Sequence, residues 1–231
     1  MPLPPGRLRA GGANFRADAD FIGTAVGEAR RLVAGAASTH PLAVLDLGCG
    51  AGRLAYGLIE IDAPIARYEG IDVMAPQIDW CTQTITPRHP AYRFQAIDVY
   101  NERYNPNGSR AATETTLPFP PDSFDIAYAY SVLSHLQGAD VRAYLREFAR
   151  LLVVDGVAIV TAFVEEDVPN ETVNPPGYQN ESWGGPLHCV RYARSNVERM
   201  ARDAGLTVKR FEYGQEANGQ SRLSLRRAPA S

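Results

Sequence analysis

Apolar and polar positions along this chain change period several times, and each change marks an element. After a start without periodicity, read as flexible over residues 1–14, Phe15 to Ala36 predicts a helix ahead of the first strand. "LAVLDL" is a short β-rich run, and the segment after it carries Leu54, Leu58 and Ile61 on one helical face. "RYEGID" predicts a second strand, with Pro76 suited to the first turn of the helix behind it. "YRFQAID" and "FDIAYAY" predict a third and a fourth. "VAIVTAFV" predicts a fifth, apolar throughout, as befits a parallel strand covered on both faces. Between the last two, Val141, Tyr144, Leu145, Phe148, Leu151 and Leu152 fall at helical spacing. Ser195 with Glu198 has the pattern of a capping box ahead of Val197, Met200 and Ala201, and Gly205 can stop that helix. "LTVKRFEY" and "QSRLSLRR" flank a Gly/Asn turn and predict a final antiparallel pair. The sum is an α/β fold, a seven-stranded doubly wound sheet with an antiparallel last strand, read as one domain over residues 15–231. In such sheets ligands lie outside the carboxyl ends of the strands.

Composition narrows the partners. The chain has 231 residues, 45% hydrophobic and 21% charged, which is enough for a sizeable core. A formal net charge of -3 supplies no basic stripe for nucleic acid or anionic lipid. Cys49, Cys81 and Cys189 are odd in number and far apart, so neither a disulfide framework nor a zinc site is expected. No uncharged stretch approaches the ~20 residues that a membrane span needs. These features predict a cytoplasmic chain, monomer or homodimer, with a small-molecule partner and no metal.

The chemistry concentrates in "VLDLGCGAG". Gly48, Gly50 and Gly52 allow a tight turn and close approach of a ligand to the main chain, with a helix amino terminus just behind. A dinucleotide fingerprint would need glycine at position 53, where Arg53 stands. Asp46 just before the turn would repel a pyrophosphate but attract an ammonium group, so a cofactor with an amino-acid tail fits better. Two more acids follow at strand ends. Asp72, after the second strand, is where nucleotide-binding folds hold a ribose diol. Asp98, after the third, can accept a hydrogen bond from an adenine amine, with Val73, Met74, Ile97 and Val99 as apolar walls. Each acid alone could equally cap a loop; three in register with one glycine turn point to a ligand.

Taken in order, "VLDLGCGAG", "YEGIDV", "QAIDV", "LPFPPDSFDIAYAYSVLSHL" and "FARLLVVDGVAIVTAF" resemble the class I S-adenosylmethionine-dependent methyltransferases, with their Rossmann-like fold. The resemblance covers about residues 40–165. It implies that Asp46, Gly48, Cys49 and Gly50 hold the methionine end, Asp72 the ribose, and Asp98 with Val99 the adenine, while Tyr130 and Ser131 line the sulfonium region. Arg16, in "NFRADADF", is placed near the cofactor carboxylate by position alone. Val154-Asp155-Gly156 departs from the family's usual Pro-Gly-Gly turn, which is a structural feature.

A sulfonium cofactor leaves the protein to position an acceptor and exclude water. A hydroxyl acceptor would gain from a general base, and His135 is the first candidate, with His188, Glu165 and Glu166 behind it. The acceptor side is expected from two insertions, about residues 100–121 and 165–192. In the second, Tyr178, Trp183 and Tyr192 stand among amides and carboxylates, a combination suited to a saccharide. "YEGIDVMAPQIDWC" and "VYNERYNPNG" also resemble a branch associated with glycan modification. The sequence thus predicts O-methylation of a small molecule, a saccharide first. The alternatives are a phenol or amine acceptor, or a cofactor-binding protein without transfer activity.

Overall fold

The computed structural model describes residues 1–9, 15–36, 38–216 and 219–227. The chain divides into two compact units, Met1–Ile97 with Phe124–Ile126, and Asp98–Ser123 with Ala127–Ser231.

The first unit contains α1 (Asp18–Ala36), β1 (Leu42–Leu47), α2 (Arg53–Glu60), β2 (Ile65–Asp72), α3 (Ala75–Thr84), β3 (Tyr92–Ala96) and the opening of β4 (Phe124–Ala129). Its strand order is β3-β2-β1-β4, with β2 parallel to both neighbours. Asp46 pairs with Gly70 and Asp72 with Ala96 in register, so both acids stand at carboxyl ends of parallel strands. Phe21, Ala25, Ala29 and Leu32 form the buried stripe of α1. Gly57 of α2 is required there, because a Cβ would come within 2.0 Å of the Ala25 carbonyl oxygen. The helix read from Phe15 starts at Asp18, where Asp18 and Asp20 meet the positive end of the helix dipole. Residues 10–14, the end of the start read as flexible, lie outside the described residues. Within residues 1–9, the Arg9 guanidinium bonds Pro4 O at 2.9 Å and Arg16 O at 2.7 Å, and pairs with Asp18 at 2.5 Å.

The second unit contains the end of β4, α4 (Gly138–Leu151), β5 (Leu152–Glu165), β6 (Glu171–Val173), β7 (Val190–Ala193), α5 (Arg194–Asp203), β8 (Leu206–Glu212) and β9 (Ser221–Arg227). Among the described residues all seven strands read from the sequence are present, with two short ones besides. The long β5 pairs antiparallel with β9 over Val157–Ala162 and then parallel with β7 over Phe163–Glu165. β6 and β7 come from the segment read as an insertion loop. At three and four residues they are too short to carry a legible alternation.

The capping box is a correction. β7 runs straight into α5, Ala193 occupies the N-cap with no side-chain cap, and Glu198 pairs with Arg194 at 2.9 Å. Ser195 therefore lies inside the helix. Gly205 ends it as expected, with φ of 81°.

Candidate functional site

In the first unit the backbone leaves β1 through three left-handed residues, Gly48, Gly50 and Gly52, with φ of 73°, 52° and 75°. L-residues rarely adopt such angles, which explains the glycines. A Cβ on Gly50 would meet nothing within 4 Å, so this face of the turn is open. Asp72 clamps the turn: Gly50 N donates to one carboxylate oxygen at 2.7 Å, and Met74 N to the other at 2.9 Å. Asp72 is only 8% exposed, and burial pushes its carboxyl above the usual range against the pull of these amides.

Asp46 is 3% exposed and accepts a hydrogen bond from the Tyr68 hydroxyl. Burial raises its pKa to about 7, opposed by Tyr68 and by the Arg53 charge. At neutral pH the site therefore holds a partly protonated carboxyl rather than a fixed anion. Cys49 is buried, with its thiol towards Gly50 O at 3.6 Å, and Cys81 approaches the same carbonyl at 3.8 Å. Val73 and Met74 are half-buried, and Arg16 has an exposed side chain. Tyr68 was not singled out from the sequence, where it reads only as a strand aromatic.

In the second unit Asp98 is exposed, and Ser109 occupies both of its oxygens, through its hydroxyl on one and its amide at 3.2 Å on the other. These bonds, the hydroxyl first, lower the carboxyl below its ordinary range. Val99 is buried, and its carbonyl accepts from Asn105 at 3.0 Å. Tyr130 stacks with Tyr128 at 6.3 Å between centroids. Ser131 has φ of 56°, a costly angle for a residue with a Cβ. A closed ring of hydrogen bonds holds it: Ser131 N donates to Thr161 Oγ1 at 2.7 Å, Thr161 Oγ1 to Gln220 Oε1 at 2.9 Å, and Gln220 Nε2 to Ser131 Oγ at 2.8 Å. Gln220 carried no signal in the sequence.

His135 closes a short 3-10 turn, Leu133–His135. Its Nδ1 donates to Leu187 O at 3.0 Å, its carbonyl accepts from Asn101 at 3.1 Å, and the Tyr104 ring meets it edge-on at 5.3 Å. Burial holds its pKa down at about 4, with the Arg103 and His188 charges pushing the same way.

The remaining expected residues divide. Trp183 donates to Tyr178 O at 2.8 Å, and the rings of both pack on Phe163. The Tyr178 hydroxyl donates to Glu165 at 2.7 Å, and His188 lies edge-on to Trp183 at 5.2 Å. Two expectations need correction. Tyr192 is a core residue, 1% exposed, with its hydroxyl committed to Leu136 O, so it presents no surface to an acceptor. Glu166 is a surface ion-pair partner of Arg194 at 3.1 Å with its side chain 65% exposed, so its carboxylate is committed to a cation in solvent. Among the described residues no group of three His, Cys, Asp or Glu could hold a metal ion, and no helix is long and apolar enough to cross a membrane.

With this geometry in view, comparison with known proteins places the chain. A family profile described as a methyltransferase domain matches residues 45–160. The uncharacterized methyltransferase YcgJ of Bacillus subtilis is 32% identical over 133 residues, 57% of this chain and 45% of that protein. The chain spans about half the length of the curated relatives it matches, 45% and 53%. Among solved structures, a chain in the complex of the Haloferax volcanii Trm112 methyltransferase activator with a methyltransferase superposes with a TM-score of 0.64 at 19% identity, over 94% of this chain and 96% of that one. Magnesium protoporphyrin IX methyltransferase from Synechocystis PCC 6803, solved with S-adenosylmethionine, superposes with a TM-score of 0.58 at 16% identity, over 95% and 87%. At these identities the structural likeness speaks for the fold.

Proposed function

The chain belongs to the methyltransferase-domain family, and on that premise we propose that it methylates a hydroxyl of a small-molecule acceptor, a saccharide first, using S-adenosylmethionine. The observation that carries the cofactor half is the Asp72 clamp. Each oxygen of Asp72 takes one main-chain N–H and keeps a lone pair, while the vicinal diol of a ribose offers two O–H donors. The donor set therefore fits a nucleoside cofactor, and the open face of Gly50 lets it approach the main chain.

The resemblance assigns the other roles. Asp46, Gly48, Cys49 and Gly50 are given the methionine end, Asp98 and Val99 the adenine, and Tyr130 and Ser131 the sulfonium region; Val73 and Met74 are read as apolar walls for the adenine ring. Bound there, the cofactor supplies a methyl group on a cationic sulfur, open to attack by an oxygen. For His135, donation from Nδ1 to Leu187 leaves the Nε2 lone pair as proton acceptor. A base this weak takes the proton late, when the forming C–O bond has made the hydroxyl strongly acidic. The saccharide half rests on the polar groups of residues 165–192, since Tyr178 and Trp183 spend much of their surface on Phe163.

Calorimetry with S-adenosylmethionine and S-adenosylhomocysteine, beside NAD and NADP, tests the cofactor; absence of heat with the first two would overturn it. Turnover against mono- and disaccharides, with a phenol and an amine alongside, tests the acceptor. Methylation of the phenol or amine alone would move the reading to those classes.

A further inference from the structure

Among the described residues, Arg103 and Arg191 are the two arginines whose Nε is buried without a hydrogen-bond partner, and Arg103 is the one beside His135. Arg150, Arg194, Arg210, Arg222 and Arg227 each pair with a carboxylate. Arg103 has no carboxylate partner among the described residues, its Nε is buried without a hydrogen-bond partner, and its side chain makes one long bond, Nη1 to Pro186 O at 3.4 Å. A buried guanidinium N–H left without an acceptor carries a cost that a ligand acceptor would remove.

Its setting is built rather than incidental. Asn101, itself buried, accepts from Arg103 N at 3.0 Å and Tyr104 N at 2.9 Å through its side-chain oxygen, and donates to His135 O at 3.1 Å through its amide nitrogen. One side chain thus fastens the turn carrying Arg103 to the turn carrying His135. The Arg103 guanidinium lies 5.5 Å from the Tyr104 centroid, and that ring meets the imidazole at 5.3 Å. The charges that act on His135 are those of Arg103 and His188, with no carboxylate among them. A neutral sugar would have no use for that cation.

We propose that Arg103 is a specificity residue that grips an anionic group of the acceptor, a carboxylate or a phosphate, beside the hydroxyl presented to His135. The planar fork of a guanidinium matches both groups through paired hydrogen bonds. This rests on the reading of His135 above and narrows its acceptor to acidic sugars or sugar phosphates.

The test uses the full chain with glucose, glucuronate, glucose 6-phosphate and inorganic phosphate. His135 imidazole resonances followed by NMR report binding without turnover. Glucuronate or glucose 6-phosphate should shift them at concentrations where glucose does not, and Arg103→Gln should weaken that binding about 10- to 100-fold, the worth of charge-assisted hydrogen bonds. Carboxylate and phosphate are told apart by whether glucuronate or glucose 6-phosphate binds more tightly. Arg103→Lys, which keeps the charge but loses the fork, should lie between, and serves as the test should Arg103→Gln fail to fold. Equal response to glucose and to both anionic sugars, or parental anion affinity in the folded variants, overturns the proposal. Turnover separates this from the broader reading: anion binding without methylation of any sugar would refute the saccharide reading and leave the clamp standing, whereas methylation of glucose as efficient as that of the anionic sugars would refute the clamp and leave methyl transfer standing.

Discussion

Replacing Asp46 by asparagine should make the protein more stable in alkali and leave it little changed in acid. The carboxyl is buried against Tyr68 with a pKa of about 7, raised from 3.8 chiefly by loss of water. A displacement of that size corresponds to about 4 kcal/mol between the protonation extremes. The sign follows from which state holds the proton. The native carboxyl binds it more tightly than the unfolded chain does, so the stability it contributes is complete below about pH 4 and is lost as pH rises through about 7. Asparagine keeps an oxygen for the Tyr68 hydroxyl but does not titrate. The advantage of Asp46→Asn over the parent should therefore widen by about 2 to 3 kcal/mol between pH 5 and pH 8. Urea unfolding followed by circular dichroism at intervals across that range measures it. A gap constant to within about 0.5 kcal/mol would refute the claim that Asp46 is buried as a half-protonated acid. The same proton should be seen in cofactor binding. An ammonium brought near Asp46 expels it, so binding at pH 6.5 should release protons in the parent and none in Asp46→Asn, read by calorimetry in buffers of different ionisation enthalpy.

Removing Asp72 orphans two main-chain amides as well as any ribose contact. Asp72→Ala should thus lower stability without ligand by about 2 to 5 kcal/mol and weaken cofactor binding roughly 30- to 1000-fold; an affinity within threefold of the parent would count against the ribose assignment. At Asp98, alanine should weaken cofactor binding more than asparagine, which keeps an acceptor oxygen. Ser109→Ala, which frees that carboxylate, should leave affinity unchanged or improved, and equal losses for all three would mark a structural cap. His135→Ala should lower turnover ~10²- to 10⁴-fold with cofactor affinity intact. Because His135 is neutral above about pH 4, its limb of the rate profile should lie near that pH, and a fall centred near pH 6.5 would exclude it as the base. Gln220→Leu should cost stability by leaving Ser131 Oγ and Thr161 Oγ1 without their shared partner, visible as a lower Tm; an unchanged Tm would mean that the left-handed turn at Ser131 holds without it.

Much of this protein was legible in one dimension because the signals are local. Seven strands and their helices follow from periodicity, the left-handed turn at Gly48, Gly50 and Gly52 from glycine's lack of a Cβ, and the positions of Asp46, Asp72 and Asp98 from where each strand stops. The ordered set of motifs carried the family. What the tertiary structure decided depends on partners far apart in the chain. Ser131 meets Gln220 across 89 residues, and His135 meets Leu187 across 52. No spacing announces such bonds, and they select the His135 tautomer and hold a strained serine. Burial is decided in the same way. Tyr192 and Trp183 look alike as aromatics in one insertion, yet β7 draws Tyr192 into the core while Trp183 stays half-buried. Proton affinity follows burial, because the cost of charging a group depends on all the matter that displaces its water. Asp46 at about 7 and His135 at about 4 are therefore properties of the folded surroundings; the sequence supplied the residue types, and packing set their charge.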